Sequence, residues 1–394
     1  MKSQTILLLF TLLLAFQSAT ADDCLKRLAT ANFPEYVSCL QYPVQTHTVV
    51  TDDGYKLTVF RIQGKRTSIV PNKPVVLFWH GLLDSADGWV INDEQLAPAF
   101  VFANRGYDVW LGNTRGNKYS LAHVRLDPKS DKEFWDFSFQ HASEHDLPAA
   151  FAYIGKATGK KINYIAHSQG TTQMFAHLAN PSGKHPAVAA NLRKFAALGP
   201  VAYMKNLKST LLNTIARVPL IHKLLWVIGR HGLLLPNWLA TEGGRILCKT
   251  VPGICGAGMW LVSDEHPELN NKARYDILGG HFPAGTSVLN IFHWRQGINS
   301  GGAFTKYDYG SSDNKKMYGQ SNPPVYNPAL IREDVAMFVG TSDELADTKD
   351  ATNWFNGMVN AKRQIKYYPI GHMTFLIGKQ VPYMNDLIAF IESN

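Results

Sequence analysis

Three continuous apolar runs constrain the fold of this chain more than any other feature of its sequence. They are KPVVLFWHG at 73–81, GYDVWLGN at 106–113 and INYIA at 162–166. A strand that is buried on both faces is apolar throughout, and such strands occur in parallel sheets covered by helices. A helical pattern lies before the third run in DLPAAFAYIGKATG, with Asp146 at the expected cap position. The pattern predicts an α/β protein with a mostly parallel sheet.

The strand and helix alternation is interrupted once along the chain. It stops after FAALGPVA, which ends at residue 202, and it returns in VAMFVGTSDELAD at 335–347. Residues 203–320 consist mainly of Leu-rich and Trp-rich helical pieces broken by VPL, LLPNW and VPG. We therefore predict a core formed by 22–202 and 321–394, with 203–320 inserted as a helical cap.

The first 21 residues have the layout of a secretory signal peptide. Lys2 precedes the apolar run ILLLFTLLLAF, and Ala19 and Ala21 form the small-residue cleavage pattern. We expect cleavage after Ala21. The apolar run is too short to span a bilayer, and no later window reaches the roughly 18 to 20 apolar residues that a membrane helix needs. The mature protein is therefore expected to be soluble and to have no transmembrane segment.

The cysteines indicate disulfide bonds rather than a metal site. An even number of four remains after cleavage, which in a secreted chain favours disulfides. Three pairings are possible. Cys24–Cys39 and Cys248–Cys255 form the favoured set because closing short loops costs the least chain entropy.

The distribution of charge argues against nucleic-acid binding, and the spacing of the histidines argues against a metal site. The formal net charge is +8, but the Lys and Arg residues are scattered among acids, which is typical of a solvated surface. His167, His281 and His293 lack H-E-x-x-H or paired Cys/His spacing, so no metal is expected.

Ser168 follows the third apolar run and precedes the helical segment TTQMFAHLA. A nucleophilic serine needs a tight strand-to-helix turn, which exposes its hydroxyl and points the helix N-terminus at the developing oxyanion. The consensus G-x-S-x-G appears here with Ala166 in place of the first Gly and with Gly170 as the second. The five residues alone are a weak signal, and the strand before and helix after strengthen it.

A serine hydrolase also needs an acid and a histidine. In parallel-sheet hydrolases these residues follow the serine along the chain, first the acid and then the histidine, and candidates occur here in that order. The candidate histidine is His372, after the strand-like IKYYPIGH. Leu82, in WHGLLDS, and Gln169 would supply the two backbone N–H groups of an oxyanion hole. His80 would either hydrogen-bond within that loop or play a structural role. The candidate acids follow a strand end and are Asp343, Glu344 and Asp347.

Several motifs together closely resemble the acid lipase family, which includes gastric and lysosomal acid lipases. They are HGLLDSADGWV, GYDVWLGNTRGN, EFWDFSF, HDLPA, HSQGTT, PAGTSVLNIFHW and SDELAD, and the likeness runs from about residue 40 to 390. The resemblance implies an α/β-hydrolase fold with an inserted helical cap and lid, and cofactor-free hydrolysis of neutral lipid esters by a secreted or lysosomal enzyme. It places the nucleophile on Ser168, the acid on Asp343, the base on His372 and the oxyanion donors on Leu82 and Gln169.

Three positions depart from the pattern of the family. Trp79 stands where the family usually has Gln, Ala166 replaces Gly, and GHMTF has Thr374 where an acid usually lies two residues after the histidine.

Two further expectations concern the cap and an alternative function. Residues near 225–260 combine apolar side chains with Gly-rich hinges and are predicted to form a lid that opens at a lipid–water interface. The alternative is a catalytically silent α/β-hydrolase-fold binding protein. The intact set of serine, acid and histidine argues against this alternative.

Overall fold

The computed structural model describes residues 27–64, 72–209, 213, 216, 232–233, 238–253, 255–256 and 264–394. Their strands join in one nine-stranded sheet, in the order β1-β2-β4-β3-β6-β7-β8-β9, with β5 paired to β2. The strands are β1 (Val44–Val50), β2 (Tyr55–Ile62), β3 (Val75–Trp79), β4 (Asp108–Gly112), β5 (Ala122–His123), β6 (Ile162–His167), β7 (Leu192–Leu198), β8 (Asp334–Gly340) and β9 (Lys362–Tyr368).

From β4 to β9 every neighbouring pair is parallel, and β2 joins β1, β4 and β5 in antiparallel pairs. The three apolar runs became β3, β4 and β6, and every residue of these strands is buried. Alternate residues serve opposite faces, because Val76 and Phe78 pack in one hydrophobic cluster while Val75 and Leu77 pack in the other. The prediction of a mostly parallel sheet covered on both faces is confirmed.

Helices surround this sheet. They are α1 (Phe33–Cys39), α2 (Pro98–Asn104), α3 (Phe139–His141), α4 (Leu147–Thr158), α5 (Gln169–Leu178), α6 (Pro186–Asn191), α7 (Trp238–Thr250), α8 (Tyr275–His281), α9 (Val288–Asn299), α10 (Ser311–Tyr318), α11 (Thr348–Gly357), α12 (Thr374–Ile377) and α13 (Met384–Glu392). None of the helices in the described ranges combines the length and the hydropathy that a membrane span requires.

The prediction that Asp146 caps a helix is wrong. Asp146 has helical backbone angles and ends a π-helical turn, Ala142–Asp146, that runs on from α3 into α4. Its carboxylate accepts hydrogen bonds from the backbone N–H of Arg115 at 3.0 Å and from the Nε of Arg115 at 2.7 Å. A buried arginine needs a paired carboxylate, and this requirement prevails over the local capping preference.

The described part of the predicted cap, 203–320, contains α7, α8, α9 and α10 and no strand of the sheet. A disulfide joins Cys248 in α7 to Cys255, as the sequence led us to expect. Cys39 is also disulfide-bonded, and Cys24 lies outside the described residues. The domain boundaries and the signal peptide stay predictions. Of the predicted lid at 225–260, residues 225–231, 234–237, 254 and 257–260 lie outside the described residues.

Candidate active site

Ser168 occupies a strained turn between β6 and α5. Its φ of 53° and ψ of −124° lie in a region that a residue with a side chain rarely adopts. Its N–H donates to the carbonyl oxygen of Leu198, 3.1 Å away, at the end of β7. A Cβ on Gly170 would lie 2.5 Å from the carbonyl oxygen of Trp79, and one on Gly81 would lie 2.9 Å from the Cβ of Ser168. The turn therefore needs glycine at both neighbouring positions.

His372 and Asp343 form a buried pair at the ends of β9 and β8. The Nδ1 of His372 lies 2.7 Å from the Oδ2 of Asp343. The other carboxylate oxygen of Asp343 accepts the N–H groups of Leu345 at 2.8 Å and Ala346 at 2.7 Å. The carboxylate is thereby fixed in place, and it selects the tautomer of His372 with the proton on Nδ1. The Nε2 lone pair is left available to take a proton.

The surroundings of His372 favour its protonated form. Burial opposes protonation, but the negative charge of Asp343, its hydrogen bond to the ring and the charge of Asp264 together outweigh burial, and the pKa of His372 is raised. The neighbouring ring of His167, 4.5 Å from that of His372 between centroids, adds no positive charge. Burial and the charge of His372 hold the pKa of His167 well below its usual value.

Gly199 connects the serine turn with the histidine and aspartate. It follows Leu198, the residue that accepts the Ser168 N–H, and its φ is +52°. A Cβ at this position would lie 3.2 Å from the Nδ1 of His372 and 3.3 Å from the Oδ2 of Asp343. The ends of β6, β7, β8 and β9 therefore bring the three predicted catalytic residues to one edge of the sheet.

Gln169 begins α5 directly after Ser168, and its side chain is buried. The Oε1 of Gln169 accepts the Nδ2 of Asn290 at 2.8 Å and the Nε1 of Trp294 at 2.7 Å. Both donors lie in α9, which belongs to the predicted cap. Helix α9 thus holds the residue whose backbone N–H is one predicted oxyanion donor.

Leu82 lies in the loop after β3, and the structure fixes this loop at two points. The carbonyl oxygen of Leu83 accepts the N–H of Ala284 at 2.6 Å. His80 is buried, with Nδ1 2.8 Å from the carbonyl oxygen of Gly81, while its Nε2 accepts the N–H of Thr114 at 3.0 Å. Burial lowers the pKa of His80 to about 4, so His80 is a neutral structural residue of the loop.

The histidines that could suggest a metal site have protein partners. His281 lies 2.8 Å from a carboxylate oxygen of Asp87 and 2.8 Å from a backbone carbonyl oxygen. His293 lies 3.0 Å from the Oγ of Ser138 and 3.0 Å from another carbonyl oxygen. The Nε2 of His167 lies 3.0 Å from the carbonyl oxygen of His372.

In the described part of the chain, Asp52, Asp53 and His145 come close enough together to hold a cation. His145 is already paired with Asp52 at 2.7 Å, and Asp53 is paired with Arg115. This surface cluster therefore gives no reason to invoke a metal.

Two departures from the family pattern have local explanations. Trp79 donates its Nε1–H to the Oε1 of Gln173 at 2.6 Å, and its ring fills the space over Gly112, where a Cβ would clash with it. The hydroxyl of Thr374 donates to the Oδ1 of Asn270 at 2.8 Å. Both side chains are accommodated without disturbing the pair of His372 and Asp343.

Sequence reasoning missed three residues that contact the site: Asp264, Asn290 and Trp294. Asn290 and Trp294 lie inside the motif PAGTSVLNIFHW, so their motif was noticed but their contact with Gln169 was not. Asp264 carried no local signal, because it lies 108 residues before His372 in the chain.

The sheet order, the strained serine turn and the buried histidine–aspartate pair define an α/β-hydrolase. The sequence profile described as "alpha/beta hydrolase fold" matches residues 74–220, and that of the "Partial alpha/beta-hydrolase lipase region" matches residues 33–93. A solved structure of E-2-(acetamidomethylene)succinate hydrolase superposes with a TM-score of 0.52 at 11% identity, covering 89% of this chain and all of that one. At that identity it supports the fold alone.

Curated relatives of similar sequence show which kind of α/β-hydrolase this chain is. The chain is 37% identical to lipase lipl-1 of Caenorhabditis elegans, over 89% of this chain and 88% of the relative. It is 36% identical to lipase member K of Mus musculus and 36% identical to gastric triacylglycerol lipase of Homo sapiens, each over 93% of this chain and 92% of the relative. The chain belongs to the acid lipase family of α/β-hydrolases and is a carboxylic ester hydrolase of the lipase type.

Proposed function

We propose that this enzyme hydrolyses the ester bonds of neutral lipids through an acyl-enzyme formed on Ser168. The Ser168 hydroxyl attacks the ester carbonyl while the Nε2 of His372 takes its proton. His372 returns that proton to the leaving alcohol. Water, activated by the same nitrogen, then adds to the acyl carbon and releases the fatty acid, which regenerates the serine.

Asp343 has two roles in this proposal. It keeps the proton of the neutral His372 ring on Nδ1, and its charge stabilises the imidazolium that forms in each half-reaction. The 2.7 Å contact between Asp343 and His372 is the observation that carries the proposal. The raised pKa of His372 supports it, because it reports that the protonated ring is stabilised at this place.

The negative oxygen of the tetrahedral intermediate would be bound by the N–H groups of Leu82 and Gln169. The N–H of Gln169 lies in the first turn of α5, where backbone N–H groups have no helical partner. Leu82 lies next to Gly81, whose close approach to Ser168 brings the loop after β3 beside the nucleophile. Donors fixed before the reaction cost no reorganisation during it.

The substrate class rests on the relatives and on exposed apolar surface of the cap. The human relative is named a gastric triacylglycerol lipase, and we propose triacylglycerol, cholesteryl ester or both as substrates here. Ile246, Leu247 and Val251 lie in and after α7, with 51%, 43% and 45% of their surface exposed. We propose that this part of the cap touches the lipid–water interface and that 225–260 acts as the lid.

A secreted or lysosomal location fits the same proposal. Disulfides persist in oxidising compartments, and both Cys39 and the Cys248–Cys255 pair are disulfide-bonded. The predicted signal peptide at 1–21 gives the route into that compartment.

The proposed function predicts a jump in activity when the substrate forms an interface. Triacylglycerol, cholesteryl ester and wax ester emulsions would be assayed beside a dissolved short-chain ester, from pH 4 to pH 8. The rate on a triacylglycerol series should rise abruptly as concentration passes the solubility limit, because the apolar surface of the cap then meets lipid. Smooth saturation through that limit would contradict interface contact, and hydrolysis of the dissolved ester alone would contradict the lipid substrate.

A further inference from the structure

Asp264 is a second buried carboxylate beside the site, in addition to Asp343. It has no exposed surface and lies at the start of the described segment that precedes α8. Its Oδ1 accepts the N–H of Met373 at 3.0 Å, and its Oδ2 accepts the Nδ2 of Asn270 at 2.8 Å. Met373 directly follows His372, so Asp264 holds the backbone of the histidine loop.

The backbone of Asp264 also contacts the loop that carries Asp343. The two residues form an isolated antiparallel bridge, and the next residue, Glu265, donates its N–H to the carbonyl oxygen of Ser342 at 3.0 Å. One segment of the predicted cap therefore touches both the acid loop and the histidine loop.

The side chain of Asp264 packs closely against the histidine loop. A Cβ on Gly371, directly before His372, would lie 2.6 Å from the Cγ of Asp264. Asn270 extends the same contact, since its Oδ1 accepts the hydroxyl of Thr374 at 2.8 Å. Residues on both sides of His372 in the chain therefore contact Asp264 or its partner Asn270.

We infer that Asp264 is a positioning residue of the proposed reaction, which fixes the His372 loop against the Asp343 loop and adds a second negative charge that stabilises protonated His372. The inference rests on the proposed roles of Ser168, His372 and Asp343. By this inference the predicted cap, through Asp264, supports the proton transfer at His372 in addition to binding substrate.

In the part of the chain that the structure describes, the following charged and titratable groups face these residues. His372 faces Asp343 from the β8 loop, Asp264 from the cap segment and the ring of His167 from β6. Tyr275 also interacts with Asp264, and burial raises the pKa of Tyr275 to about 12, which leaves it neutral. Within the described ranges, Asp343 and Asp264 are therefore the two negative charges acting on the protonated ring of His372.

Asp264 itself titrates close to the range of histidine. Burial raises the pKa of Asp264 to about 6, although the hydrogen bonds from Asn270 and Met373 lower it. Above that pH its charge supports the protonated form of His372. Below it, the carboxyl becomes neutral and this support is lost.

The variant Asp264→Asn removes the charge and keeps one oxygen that can accept the Met373 N–H, while its NH₂ faces the Nδ2 of Asn270 and that hydrogen bond is lost. We expect the midpoint of the acidic limb of the kcat/KM–pH profile, measured on a dissolved ester, to move at least about half a pH unit lower. The direction follows from the lost negative charge, since His372 then holds its proton less tightly. Glu268→Gln is the matched control, an exposed carboxylate of the same segment, and should leave the limb in place.

The variant Asp264→Ala additionally removes the acceptor for Met373. We expect kcat to fall about tenfold or more across the pH range, because the histidine loop loses its fixed position, and we expect kcat of Asp264→Asn to lie between those of Asp264→Ala and the wild type, because asparagine still accepts the Met373 N–H. If either variant fails to fold, the imidazole signals of His372 in the ¹⁵N-labelled wild type provide the test. They should show a two-step titration that reflects both Asp264 and the ring.

The outcomes separate this inference from the proposed function. An unmoved acidic limb in folded Asp264→Asn would overturn the charge role, and wild-type kcat in Asp264→Ala would overturn the positioning role. A single-step titration of His372 in the wild type would also overturn the charge role. Ser168→Ala is run in the same assay, and ester hydrolysis persisting in that variant would contradict the proposed triad instead.

Discussion

Replacing Ser168 by alanine is expected to lower kcat/KM for ester hydrolysis by at least about three orders of magnitude, as loss of a triad nucleophile usually does. The remaining rate would come from the oxyanion donors and from substrate binding. The fold should survive, because alanine has the same Cβ that serine already places in this turn at φ 53°. The measurement is turnover of a dissolved ester, with circular dichroism and thermal unfolding to confirm the fold.

Ser182→Ala serves as the control for this variant. Ser182 is an exposed loop serine away from the sheet edge, so its loss should leave turnover within a factor of about two. Wild-type hydrolysis by folded Ser168→Ala would show that the strained turn serves another purpose.

Asp343→Asn is expected to lower turnover by about 10⁴ while the protein stays folded. The Oδ1 of Asp343 accepts two backbone N–H groups, from Leu345 and Ala346, and an asparagine oxygen would take over that role. The asparagine NH₂ would then face the Nδ1 of His372, so that Nδ1 becomes the acceptor and the ring proton moves to Nε2. The nitrogen that should accept the proton of Ser168 would then already carry one.

Asp347→Asn is the matched control for this prediction. Asp347 is also a buried aspartate, but its side chain caps α11 by accepting the N–H of Lys349 at 2.8 Å. Asparagine caps helices about as well as aspartate, so turnover should change far less. A larger loss at Asp347 than at Asp343 would overturn the choice of acid.

The parts of the fold that sequence could predict are those set by local pattern. A strand buried on both faces must be apolar at every position, so β3, β4 and β6 were visible as continuous runs. Ser168 was visible because the strand before it, the helix after it and Gly170 all lie within a few residues. The choice of acid and histidine followed from the chain order typical of parallel-sheet hydrolases, and from their positions after strands, since parallel strands end at one edge of the sheet.

The parts that sequence could not predict depend on contacts between distant segments. Asp146 had the local features of a helix cap, yet the buried guanidinium of Arg115, 31 residues earlier, takes its carboxylate. Asn290 and Trp294 bond Gln169 from more than 120 residues away. Asp264 lacks any local pattern, because its role depends on the two loops that meet around it. Such contacts are set by tertiary packing, which periodicity and capping rules do not describe.

Labelling with an active-site phosphonate tests the central claim most directly. The enzyme is incubated with a lipid-like phosphonate ester, activity is followed, and the modified residue is identified by peptide mass spectrometry. We predict one adduct per chain, on Ser168, formed in proportion to the loss of ester hydrolysis and strongly slowed in folded His372→Ala, because the serine reacts only when His372 takes its proton. A folded enzyme that hydrolyses esters while its adduct forms on another residue, or one that neither reacts nor hydrolyses, would contradict the proposal and favour a catalytically silent binding protein.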